Sequence, residues 1–60
     1  MIYFYIHADT VSQQRKWVGN WGWTTDFNRK RIFYGSVEDA NALTSCMNEM
    51  SKKFHDWTKI

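Results

Sequence analysis

The chain has 60 residues, a net charge of +2, one cysteine and eleven aromatic side chains. That length excludes a catalytic domain joined to a regulatory one, and a lone Cys46 excludes a disulfide-stapled scaffold and fits a reducing cytosol. A charge of +2 is too small by itself to imply nucleic acid, and no run of about 18 apolar residues marks a membrane-spanning helix.

The N-terminal residues are apolar at once, without a basic leader or a small-residue cleavage site, so they predict a strand over 2–8 and not a signal peptide. Read by twos, Ile2, Phe4 and Ile6 point one way and Tyr3, Tyr5 and His7 the other, which makes this strand hydrophobic on both faces. One helix can cover only one face; the other is expected to be covered from outside the monomer. A polar turn over 8–13 then leads to a second strand over 14–18, in an antiparallel hairpin. Gly19, Asn20 and Gly22 break the pattern and mark a loop or bulge. Thr25 and Asp26 can cap a short helical turn over 27–29. A third strand is expected over 30–34, with Ile32 and Tyr34 on one face and Arg31 and Phe33 on the other.

The helix signal is stronger. Ser36 opens a Ser-Val-Glu-Asp stretch that reads as a capping box with Asp39 in the usual place of Glu. Glu38 and Asp39 also lie in the first turn, where the macrodipole favours negative charge. Apolar residues follow at Ala40, Leu43, Met47, Met50, Phe54 and Trp57, a stripe that extends back to Val37 and predicts a helix over 36–57. Such a helix would be roughly 32 Å long and overhang the sheet. The expected architecture is a single α+β domain over 1–60: a three-stranded antiparallel sheet with one long C-terminal helix packed on one face.

Catalysis finds little support. Cys46 falls in mid-helix, away from the N-terminal dipole that would lower a thiol pKa. The acids are dispersed, and Gly19, Gly22 and Gly35 have no phosphate-cradling spacing. A metal site would need His7, His55, Cys46 and an acid to converge, yet on one helix Cys46 and His55 would point to opposite sides. The chain is read as a non-enzyme with no cofactor and no metal. Tryptophan carries more weight. Trp17, Trp21 and Trp23 share parity and would line one face of an extended segment, and Trp and Tyr are enriched at binding hot spots. The candidate partner-binding residues are therefore Tyr3, Tyr5, Trp17, Trp21 and Trp23, for contact area, with Arg29 and Arg31 for charge complementarity.

The segment Gly22-Trp-Thr-Thr-Asp-Phe-Asn-Arg-Lys-Arg-Ile-Phe33, the start Ser36-Val-Glu-Asp-Ala40 and the tyrosine-rich first strand together resemble small bacteriophage accessory proteins of β-β-β-α type. The resemblance spans residues 2–42 and departs at Lys30, where that pattern often has alanine. It implies a phage or prophage origin, action in the host cytoplasm, and direct binding and inhibition of a host protein. Two other readings stay open. One is a nucleic-acid binder, with sheet aromatics stacking on bases and Arg15, Lys16, Arg29, Lys30 and Arg31 on phosphates. The other is a structural homodimer, joined through the bare sheet face or the helix end near Phe54 and Trp57.

Overall fold

Ile2–Asp9 is the organising strand, β1, because its period-two pattern gives it a side chain to bury on each face and its backbone is paired on both edges. The computed structural model describes residues 1–9 and 14–60, so the turn expected over 8–13 falls largely outside the described residues. The chain continues through β2 (Arg15–Gly19), β3 (Gly22–Thr24), a 3-10 turn (Phe27–Arg29), β4 (Phe33–Gly35), α1 (Val37–Ser51) and β5 (His55–Lys59). Every strand pairing is antiparallel. Phe4 pairs with both Phe33 and Lys59, and His7 with both Trp17 and Asp56. One edge of β1 is therefore taken by β5, and the other is shared by β2 and β4.

The molecule is α+β, an antiparallel sheet with a helix packed on it, but among the described residues the sheet has five strands where three were expected. β3 forms where a loop or bulge was read. Its hairpin with β2 closes through Asn20 and Trp21, with Gly19 opposite Gly22. The turn places its positive φ at Gly22 (119°), the residue type that bears it without a side-chain clash. β5 replaces the last turns of the expected helix. That helix stops at Ser51, and Lys52 reverses the chain in the left-handed region (φ 55°, ψ 27°) while its N–H bonds the Asn48 carbonyl. No glycine or proline announces this stop, and Phe54 and Trp57 continue the helical spacing by coincidence. A lysine at the left-handed cap is strained, so Lys52→Gly is expected to raise stability by about 0.5–1 kcal/mol. Its denaturant midpoint should rise; a fall would show that the cap conformation costs little.

The capping box at the other helix end is formed in both directions. The Asp39 N–H donates to Ser36 Oγ at 3.0 Å, and the Ser36 N–H donates to Asp39 Oδ2 at 3.1 Å. Between the caps, the side turned to the sheet differs from the apolar stripe. Ala40 and Thr44 are buried and Met47 half-buried, while Leu43 and Met50 are exposed, as is Phe54 beyond the helix end. Small and polar residues face inward because β5 returns under the helix after only a short turn. Asn48 is used there: its Oδ1 accepts from the His55 N–H, and its Nδ2 donates to the His55 carbonyl at 3.2 Å. The Thr44 hydroxyl donates back to the Ala40 carbonyl at 3.0 Å, so its burial leaves no polar group unpaired.

The core is thin. Phe4, Ile6 and Ala40 form its buried centre, with Ile2, Val18, Phe33, Met47 and Trp57 packed around them. Phe4 stacks on Phe33 (centroids 5.5 Å apart) and meets the edge of Trp57 (5.8 Å). Trp57 lies on β5, not on the helix, and its Nε1–H donates to Asn41 Oδ1 at 2.8 Å, pinning strand to helix. The accessible surface is 4637 Å² for a 7.3 kDa chain, against roughly 4,200 Å² expected of a folded monomer of that mass.

Candidate binding face

Strand alternation assigns the two sides of the sheet. The helix side takes Phe4, Ile6 and Ala8 from β1; the far side takes Tyr3, Tyr5 and His7, together with their cross-strand partners Tyr34, Thr58 and Trp17. The far side carries an aromatic array in two parts. Over Tyr5 and Trp17 the chain lays its own cover. Asp26 caps the 3-10 turn by accepting from the Asn28 N–H at 3.0 Å, and this turn sets Phe27 edge-on to Tyr5 (5.5 Å) and to Trp17 (5.3 Å). Cover expected from outside the monomer is thus supplied in part by residues 27–30. Beyond it, Tyr3 and Tyr34 lie side by side, centroids 4.7 Å apart, and remain 57% and 61% exposed.

Lys30 belongs to the same face. Its Nζ sits 3.7 Å from the Phe27 ring centroid and 5.7 Å from that of Tyr5, a cation–π arrangement on a half-buried side chain. Where the resemblance has alanine, this chain has a cation laid on aromatic rings.

His7 is buried between this face and β5, with Nε2 3.0 Å from Thr58 Oγ1. Burial first, then the Arg15 guanidinium, lowers its pKa below the ordinary value; Asp56 and Asp9 oppose this with less effect. The unfolded chain therefore binds the proton first, with its His at about 6.5. The stability that His7 contributes is complete above that pH and is lost as pH falls from there to the folded-state pKa. Denaturant midpoints should accordingly drop in the native chain as pH falls below about 7.5, and drop less in His7→Gln. Equal slopes in the two proteins would contradict the assignment. Asp9, also lowered by its bond to Arg15 (2.8 Å), titrates further to the acid side.

The seven candidate residues separate into groups. Tyr3, Tyr5 and Trp17 share the far side. Trp21 stands fully exposed at the tip of the β2–β3 hairpin. The hairpin and Arg29 together line an open depression of about 460 Å³, so Arg29, on the same 3-10 turn as Phe27, joins the tip to the aromatic face. Arg29 also approaches Asp26 (Nε to Oδ2, 3.6 Å). Trp23, although it helps line that depression, and Arg31 lie off the aromatic face. Trp17 pairs with Thr24, so Trp23 points to the opposite side, where it meets His55 at 5.1 Å. The shared parity of Trp17, Trp21 and Trp23 does not put them on one face, because the turn at Asn20 and Trp21 folds the segment back on itself. Arg31 lies over the Phe33 ring (5.0 Å), toward the helix side. The protein-partner candidates left out three residues of the face: Phe27, Tyr34 and Lys30, the last named only for phosphate contact. Tyr34 was legible from its place on the third strand; the other two depend on how the 3-10 turn folds over.

His55 itself is on β5, so the helical argument that kept it from Cys46 does not apply. Its Nδ1 lies 2.8 Å from the Lys53 carbonyl and 3.0 Å from Asn48 Oδ1, both acceptors, so Nδ1 carries the proton and serves the helix-to-strand turn. Among the described residues no three His, Cys, Asp or Glu side chains group as a metal site, and no helix is long and apolar enough to cross a membrane. Comparison with known protein families, curated proteins and solved structures finds no match to this chain.

Proposed function

We propose that this chain acts without catalysis, as a protein-binding module that blocks its partner by occlusion. The observation that supports this is the Tyr3–Tyr34 pair, more than half exposed beside the part of the same face that Phe27 covers. Aromatic rings present large, rigid contact area at low conformational cost, and their burial is the commonest source of hot-spot energy in interfaces. Trp21 at the hairpin tip and Arg29 beside it extend this surface, the charge steering encounter more than holding the complex. The resemblance to phage accessory proteins points to a host protein as the target and to inhibition as the outcome.

An open sheet face with exposed tyrosines also suits stacked bases. The two readings differ in salt dependence. Phosphate contacts make log affinity fall by about one unit per contact and per log unit of salt, whereas an aromatic protein interface is far less sensitive. The test is capture of a bacterial protein from nuclease-treated lysate at two salt concentrations, compared between the native chain and a variant altered at Tyr3 and Tyr34. Sedimentation at about 100 µM separates a self-associating face, since any micromolar dimer would be populated there.

A further inference from the structure

Aromatic contact alone leaves Lys30 unused. Its ammonium is held on aromatic rings, and the acid of its own turn is already engaged. Asp26 caps the 3-10 turn and approaches Arg29. Among the described residues no carboxylate lies within ion-pair distance of Lys30 Nζ; its contacts are the Phe27 and Tyr5 rings and the Phe27 carbonyl at 3.4 Å. The turn thus holds one positive charge in place at the margin of an open apolar surface.

The spacing of that surface is set by β1. Tyr5, under Lys30, and Tyr3, beside Tyr34, are two residues apart on one strand, hence about 7 Å apart along it. An extended peptide repeats its side chains on one side at the same interval.

We propose that the occupant of this face is an acidic protein segment in extended form. An Asp or Glu carboxylate meets Lys30 Nζ, and an aromatic or large aliphatic side chain two positions away packs on Tyr3 and Tyr34. Half-burial at Lys30 strengthens the ion pair relative to one in open water, because screening is weaker there. This inference rests on the protein-binding reading above and deepens it by fixing the chemistry of the partner.

The test selects a displayed library of random peptides on the full chain, with the Lys30→Gln and Tyr3→Thr/Tyr34→Thr variants selected in parallel. Peptides retained by the native chain should be enriched in an acidic residue two positions from an aromatic or large aliphatic one. The Lys30→Gln selection should keep the apolar preference and lose the acidic one. For a synthetic peptide of the selected sequence, changing its Asp to Asn should weaken binding to the native chain by about tenfold and leave binding to Lys30→Gln unchanged. The Asp-to-Asn comparison on the native chain stands even if Lys30→Gln folds poorly.

Selected peptides that are neutral or basic, or an Asp-to-Asn change without effect, would overturn the acidic-segment inference and leave the protein-binding reading standing. Peptides retained equally by the tyrosine double variant would overturn both. Tighter, Lys30-dependent binding of a short oligothymidylate than of any selected peptide would also overturn both, in favour of nucleic acid.

Discussion

Ile6→Ala is expected to unfold much of the protein at room temperature. Among the described residues Ile6 is the one large side chain with no exposure at all, at the centre of a core whose other buried hydrophobic residues are Phe4, Ala8 and Ala40. Truncating a buried isoleucine costs about 2–5 kcal/mol, from lost transfer energy and from the cavity left behind. A domain of this length has only about 3–9 kcal/mol in total, at roughly 0.05–0.15 kcal/mol per residue. Residues of the apolar stripe that lie outside the core should behave differently. Phe54, 73% exposed, should lose no more than about 0.5 kcal/mol on truncation to alanine. The spacing of the apolar stripe alone would rank Phe54 among the core residues, so the pair of variants separates the two descriptions. Denaturation followed by circular dichroism should show Ile6→Ala largely unfolded before denaturant is added and Phe54→Ala close to the native midpoint. Equal losses in both would contradict the packing described here.

That contrast marks how far the sequence can be read. The two faces of β1 were legible, because alternation in Ile2–His7 is a local property with a strict period. The helix start was legible too, since Ser36 and Asp39 bond each other three residues apart. β5 was hidden: Phe54 and Trp57 fall at helical spacing, and the reversal at Lys52 uses a residue with no preference for the left-handed region. Its strand character depends on the free edge of β1, a partner some fifty residues away in sequence. The inward side of α1 was misread for a related reason. Asn48 faces inward to bond the backbone of β5, and no periodicity of apolar residues can announce that. For the candidate site, Tyr3, Tyr5 and Trp17 followed from strand parity, whereas Trp23 was misplaced because parity does not survive a hairpin turn. Phe27 and Lys30 join the face only through the fold of the turn that carries them.

The larger functional effect is expected at the tyrosine pair. Both rings are more than half exposed, so replacing them removes little from the core, and threonine preserves strand preference. Tyr3→Thr/Tyr34→Thr should therefore fold with a near-native denaturant midpoint. If these rings are hot-spot residues, each truncation costs about 2 kcal/mol or more of binding, roughly thirtyfold in affinity. The two rings touch, so the double variant should lose less than the product of the single losses, yet still well over thirtyfold. Trp23→Ala is the matched control, a large aromatic on the opposite side of the sheet. The most direct measurement is the binding isotherm of the bacterial protein captured by the native chain, in nuclease-treated conditions, against these two variants. Binding that survives Trp23→Ala and falls more than thirtyfold in the tyrosine double variant is the predicted result. Binding unchanged by the tyrosine substitutions, in a protein shown to be folded, would contradict the assignment of this face as the partner surface.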